Sequence, residues 1–170
     1  MAKNSRVEIE VAVATTGDKE LDRLLQTMRK AGQDVAPFEQ AAQKLGAELQ
    51  KLRQQQGLID DFVKLKQASG QAASELQAAQ QRAQELGRAL AATEAPTKKQ
   101  TAEFERARKA VSDAKQAYQD ATRALDDNRA ALSQAGIKTS ELAQQQRQLR
   151  QSASQARQGL DEIKQGLQQI

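Results

Sequence analysis

The chain has 170 residues and a formal net charge of +4, and only 2% of its residues are aromatic. It is rich in Ala and Gln, 28% of its residues are charged, and Pro occurs twice. Because large side chains supply most of the area buried in a globular core, this composition argues against a compact α/β or all-β enzyme. It predicts long helices or coiled coil, which Ala, Gln, Leu, Lys, Arg and Glu form readily.

Missing residue types narrow the chemistry further. The chain has no Cys and no His, which excludes disulfides, thiolate zinc sites and histidine bases. No apolar run reaches the ~18–20 residues that span a bilayer. The first residues lack the apolar core of a signal peptide, so we expect neither a span nor a leader.

Residues 1–36 are predicted to form a strand–helix element. Branched side chains fall at every second position of residues 6–14, which is the period of a strand with one apolar face. We expect Asp18 to cap the following helix. A lone strand needs a partner for its backbone groups, so we expect pairing in trans, and hence self-association or docking, through Val7, Ile9, Val11 and Val13. The apolar side of the helix comprises Leu21, Leu24, Leu25, Met28 and Val35.

Residues 37–95 are predicted to form one long helix. Pro37 suits the first helical turn, and an apolar stripe with alternating spacings of four and three follows from Phe38 to Leu52. We expect a discontinuity near residues 54–57, because Gln54-Gln55-Gln56-Gly57 interrupts the stripe. The stripe resumes at Phe62 with an offset, as a short break would produce.

Pro96 separates this helix from a second one over residues 97–135. Thr97 and Gln100 have the spacing of a capping box, which marks a new helix start. Gly136 stands where a C′ glycine ends a helix. Thr139 or Ser140 is then expected to cap a third helix over 139–170. Its stripe is still apolar at Ile170, so we expect the helix to continue in a longer chain.

The stripes on either side of Pro96 predict an antiparallel hairpin. With residue 97 as the pivot, Leu90 faces Phe104 and Ala83 faces Val111. The predicted fold class is therefore all-α, with long helices in a coiled-coil hairpin or bundle and one short N-terminal strand. The predicted coiled-coil seam comprises Phe62, Leu65, Leu76, Ala83, Leu86, Leu90, Phe104, Val111, Tyr118, Leu125 and Leu132.

No candidate catalytic, cofactor or metal site emerges. Asp60-Asp61 and Asp126-Asp127 are adjacent pairs whose members point ~100° apart on a helix, so we interpret them as exposed helix surface. Lys98-Lys99 is most simply a solubilising pair. We therefore expect no enzyme, no cofactor and no small-molecule substrate.

Two segments resemble tail tape measure proteins of phages and tail-like prophages. The first is residues 93–108, with Glu94-Ala95-Pro96-Thr97 at its turn. The second is residues 132–143, with Ala135-Gly136-Ile137-Lys138-Thr139, followed by Gln148-Leu149-Arg150. The resemblance covers residues 58–150. It implies a mostly helical, multicopy virion protein that lies in the tail tube and sets its length.

The resemblance also implies partners: tube proteins, a tail assembly chaperone or tail tip proteins, in the virion tail and, during assembly, in the host cytoplasm. Family members run to many hundreds of residues, so this chain resembles an N-terminal region. A cytoplasmic coiled-coil adaptor that binds partner helices is the alternative. A helical nucleic-acid-associated protein, using the basic excess of residues 97–170, is a third hypothesis with a weaker charge footprint.

Overall fold

The structure is a computed structural model that describes residues 19–169. Over these residues the all-α prediction is confirmed, since they form helices and no strand. The strand predicted over residues 6–14 and the cap predicted at Asp18 lie outside the described residues.

Four α-helices account for most of the described chain. The described part of α1 covers residues 19–30, and α2 spans Ala36–Ala91. Helix α3 spans Lys98–Gln134. A short 3-10 turn, Thr139–Glu141, precedes α4 over Leu142–Gln168.

The chain divides into two compact units. Unit 1 comprises Met1–Ile59 and Leu132–Ile170, and unit 2 comprises Asp60–Ala131. Unit 1 is therefore built from two separated stretches of chain, whereas unit 2 is one continuous stretch.

The discontinuity predicted near residues 54–57 is absent, because α2 runs through Gln54-Gln55-Gln56-Gly57 as one helix. The buried face of the helix continues through this segment, since Gln56 is buried and Ile59 is fully buried. Gln is a good helix former with a long aliphatic stem, so it fills the buried position without ending the helix. The offset at Phe62 is then a shift of register within one helix.

Both glycine turns with a left-handed backbone end a helix in the same way. Gly136 has φ 76°, and its N–H donates to the carbonyl of Ser133 at 3.0 Å. The next N–H, that of Ile137, donates to the carbonyl of Leu132 at 2.9 Å. This pair of bonds is the Schellman motif, which confirms Gly136 as a C′ glycine. Gly32, at φ 81°, ends α1 likewise.

Helix α3 begins with the predicted capping box. The Gln100 N–H donates to Thr97 Oγ1 at 3.1 Å, and the Thr97 N–H donates to Gln100 Oε1 at 2.9 Å. Two backbone donors that the helix leaves without a partner are satisfied by this exchange. The prediction at residues 97–100 is confirmed.

The cap predicted at Thr139 or Ser140 is wrong. Lys138 occupies the N-cap of the 3-10 turn, and Glu141 occupies that of α4, and neither makes a side-chain capping bond. The 3-10 turn takes the place of a capped start, and in it the Glu141 N–H donates to the Lys138 carbonyl at 3.1 Å.

Candidate interaction surfaces

Unit 1 contains a buried apolar core. Leu21 of α1, Leu49 of α2 and Leu167 of α4 are at most 1% exposed. Of the predicted apolar side of this segment, Leu21 and Leu25 of α1 and Val35 beyond it are buried, whereas Leu24 and Met28 are half-buried. Helices α2 and α4 pack against each other at Gly159, where an added Cβ would make an ordinary contact of 3.6 Å with Leu45 Cδ1.

Two ion pairs join separate helices of unit 1. Lys164 Nζ of α4 lies 2.9 Å from Glu20 Oε2 of α1. Its hydrogen bond and its positive charge hold the pKa of the Glu20 carboxyl below the ordinary value. Arg29 pairs with Glu39 of α2. Each pair has one exposed and one half-buried member, so its contribution to stability is small.

A polar cleft of about 400 Å³ lies between α2 and α4 in unit 1. Ile59, Ile137 and Leu149 supply apolar lining, and each is buried. The polar lining comprises Glu48, Lys51, Gln55, Gln145, Gln148, Ser152 and Gln155. Glutamine amides donate and accept hydrogen bonds but do not titrate, and Glu48 and Lys51 are the charged side chains of the lining. The cleft therefore offers mainly polar contacts, with one carboxylate and one ammonium group.

Unit 2 is an antiparallel pair made by α2 and α3. Phe104 packs against Gly87, where an added Cβ would lie 3.1 Å from the ring. The guanidinium of Arg129 lies 6.0 Å from the centre of the Phe62 ring. These contacts are 25 residues apart on each helix, so the two helices keep one register between them.

The seam of unit 2 is less covered than the core of unit 1. Of its predicted residues, Phe62 and Leu125 are buried, as is Leu132 just beyond the unit boundary. The remaining predicted seam residues except Tyr118 are half-buried: Leu65, Leu76, Ala83, Leu86, Leu90, Phe104 and Val111.

Two details differ from the predicted seam. Tyr118 is 36% exposed, which corrects its assignment as a covered seam residue. Phe104 lies against Gly87, about one helical turn from Leu90, its predicted partner. Gly87 has no side chain, which leaves room for the Phe104 ring of the facing helix. The 4-3 pattern of apolar side chains does not reveal such a space, because it counts side chains and not gaps between them.

An open apolar depression lies near the turn of unit 2. Its lining includes Ala83, Gly87 and Ala91 of α2 and Phe104 of α3. Arg88 and Arg108 also line it, and Arg108 lies 5.9 Å from the centre of the Phe104 ring. The depression therefore combines an apolar floor with two cations.

Most of the other residues that the sequence singled out lie outside the described chain or on exposed helix surface. The self-association residues Val7, Ile9, Val11 and Val13 lie outside the described residues. Asp61, Asp126 and Asp127 are exposed on helices, and Asp126 is 3.7 Å from Arg129. Within residues 19–169 no cluster of three or more potential metal-binding side chains is found. None of the helices described there is apolar and long enough to cross a bilayer.

Comparison with known proteins adds no relative. The chain matches no protein-family model, and neither a curated protein nor a solved structure shows significant similarity to it.

Proposed function

We propose that this chain is a structural and assembly protein without enzymatic activity: the N-terminal part of a phage tail tape measure protein that occupies the tail tube and helps to set its length. The proposal rests on the resemblance of residues 58–150 to that family. The supporting observation is that both resembling segments lie at helix boundaries, at the Thr97 capping box and at the Gly136 turn.

Helices suit such a role because they convert residue number into distance. The rise of a helix is ~1.5 Å per residue, so the 56 residues of α2 correspond to about 84 Å. A chain that is helical throughout its measuring region therefore defines a length without any chemistry.

In the assembled tail we propose an extended arrangement in place of the antiparallel pair. Neighbouring copies in a narrow tube cover the same apolar seam that α2 and α3 cover for each other. The two packings of one seam then differ by only a few kcal/mol, as in other two-state elements. The coiled-coil character of the seam belongs to this proposal.

The test is an in-frame change of length in the gene of the phage or prophage that encodes the chain. Deleting residues 63–90 removes four heptads and preserves the phase of the stripe, and it should shorten the tail by about 42 Å. A tandem duplication of the same residues should lengthen the tail by the same amount. Tail lengths are measured by electron microscopy, with the length-neutral Gly57→Ala variant as the control.

Unchanged tail lengths in both the deletion and the duplication would overturn the measuring role. The alternative, a cytoplasmic coiled-coil adaptor, is favoured by the half-covered seam of unit 2 and predicts that the protein is missing from purified particles. Mass spectrometry of particles therefore separates the two functions, as do tube, sheath or baseplate genes next to this one.

A further inference from the structure

Unit 2 buries far fewer apolar side chains than unit 1, although the described residues of the two units are similar in number. Four of the buried apolar residues in the described chain belong to unit 2: Phe62, Ala72, Ala107 and Leu125. The other fifteen belong to unit 1: Leu21, Leu25, Val35, Ala42, Leu45, Leu49, Leu52, Ile59, Leu132, Ile137, Leu149, Ala153, Ala156, Leu160 and Leu167. Unit 2 buries fewer apolar residues because a pair of helices leaves both sides of its seam open to water.

The exposed apolar residues fall on one side of that seam. Val63 is 39% exposed and Tyr118 is 36% exposed, and these are the large apolar side chains that residues 19–169 expose. Tyr118 follows Phe104 by two heptads, and Val63 precedes Ala91 by four heptads. Because residues at heptad spacing share a face of a helix in such a pair, both lie on the face of the depression at Gly87.

This face is also nearly free of charge along α2. The residues of α2 that share it between Lys66 and Arg88 are small or amide-bearing: Ser69, Gly70, Ala73, Gln77, Gln80, Ala83, Gln84 and Gly87, together with Leu76. Gly70 offers open space, since no atom lies within 4 Å of a Cβ built on it. A second helix can therefore approach this face closely.

The two ends of unit 2 differ in charge. Residues 82–110, at the turn, carry seven basic and four acidic side chains. Residues 60–69 and 120–131, at the other end, carry four basic and five acidic side chains. An antiparallel arrangement of two copies brings the basic end of each beside the acidic end of the other, whereas a parallel arrangement places two basic ends together.

We propose that two copies of the chain associate through this face of unit 2, antiparallel and two-fold symmetric. Val63 of each copy then occupies the depression at Gly87 of the other, as an isologous contact requires. Residues 63 and 87 are ~36 Å apart along α2, so no single copy can bring them together.

The same alignment accounts for Tyr118. Midway between residues 63 and 87 lies residue 75, so the two-fold axis passes at that level of α2. The register set by the Phe104–Gly87 and Arg129–Phe62 contacts places residue 116 of α3 at that level. Tyr118 therefore lies beside the axis, next to its counterpart. Gly70 and Ala73 face Gln80 and Gln77 of the second copy, which pairs small side chains with long ones.

The projected area of the face is as large as a standard protein interface. Residues 60–91 of α2 extend about 48 Å, and two helices are about 20 Å wide, which gives roughly 950 Å² per copy. A standard protein interface buries about 800 Å² per partner. This association is independent of the proposed tail function and of the predicted pairing through residues 6–14.

The test uses cysteines in the full chain, which has none of its own. Under mild oxidation, Val63→Cys/Gln84→Cys should form a dimer with two disulfides, because Gln84 is an exposed residue of the same depression one turn from Gly87. Tyr118→Cys alone should cross-link to its own counterpart. Val63→Cys alone should not cross-link. Efficient dimer formation by Val63→Cys alone indicates a parallel pair and overturns the proposal.

A second measurement avoids cysteine chemistry. Sedimentation of the full chain at micromolar concentrations and above should show a dimer, and Tyr118→Glu should shift it to monomer. The control Ala117→Glu adds the same charge at an exposed position on the other side of α3 and should leave the dimer intact. A monomeric parent chain overturns the proposal. Both variants also carry Val11→Lys, which disrupts the predicted pairing through residues 6–14, so equal sedimentation of the two overturns the proposal as well.

Discussion

The ring of Phe38, in the first turn of α2, lies against the backbone of Gly166 in α4. A Cβ on Gly166 would come within 2.6 Å of the Phe38 Cε1 atom, closer than folded proteins tolerate. Gly166→Ala should therefore lower the free energy of unfolding by about 1–3 kcal/mol, the cost of overpacking, although Ala favours a helix more than Gly does. Urea unfolding of the full chain measures the change.

Gly57→Ala is the matched control. Gly57 also lies inside a helix, but no atom comes within 4 Å of a Cβ built there. Its substitution should raise the free energy of unfolding by up to about 1 kcal/mol through helix preference alone. If both variants are stabilised, Phe38 does not press on Gly166 in solution.

Loss of the capping box at the start of α3 should weaken unit 2. Thr97→Ala removes the oxygen that accepts from the Gln100 N–H and should cost about 1 kcal/mol. Ser112→Ala, in the exposed middle of α3, is the control and should be neutral or slightly stabilising. Equal urea midpoints for the two variants would show that the cap contributes nothing.

The left-handed backbone at Gly136 should be intolerant of a side chain. Gly136→Ala forces a Cβ into φ 76°, which costs about 1–2 kcal/mol. Gly136→Asn should lose less, because Asn adopts this conformation more readily. Gly159→Ala is the control, since its nearest neighbour, Leu45 Cδ1 at 3.6 Å, allows a methyl group. A thermal midpoint for Gly136→Ala at or above the parent value contradicts this account.

The Glu20–Lys164 pair makes a small part of the stability depend on pH. Lys164 lowers the pKa of Glu20 from its ordinary 4.5 in the folded chain. The contribution is therefore complete above that ordinary value and is lost as the pH falls through the lowered one. In a carboxyl NMR titration, Lys164→Met should raise the pKa of Glu20. Lys51→Met, at an exposed position of α2, should leave it unchanged, and an unchanged value in both variants would show that the pair does not form.

The start and the end of α3 could be predicted because local chemistry decides them. The capping box of Thr97 and Gln100 and the turn at Gly136 are formed by hydrogen bonds between residues at most five positions apart in the sequence. By contrast, the burial of Gln56 depends on neighbours from elsewhere in unit 1. Local chemistry favours an exposed position for glutamine, so its burial was not predicted.

The pairing of helices was predicted only in outline. The alternating spacing of apolar residues placed Phe104 and its neighbours on the correct side of α3. Several alignments of α3 along α2 are compatible with the same spacing. The space above Gly87 selects among them, and a pattern of apolar residues does not record empty space. For the same reason the exposed position of Tyr118 was missed, since a stripe does not say how many helices cover it.

The insertion of unit 2 within unit 1 has a consequence for the order of folding. Residues 19–59 can meet residues 132–169 only across a connection of roughly 70 residues, and closing so long a flexible loop costs about 4 kcal/mol of chain entropy. An antiparallel helix pair has mostly local contacts and forms quickly. Once the α2–α3 pair forms, residues 60–131 are no longer a flexible loop, and the entropy cost of bringing residues 19–59 to residues 132–169 falls. We therefore expect unit 2 to form before unit 1.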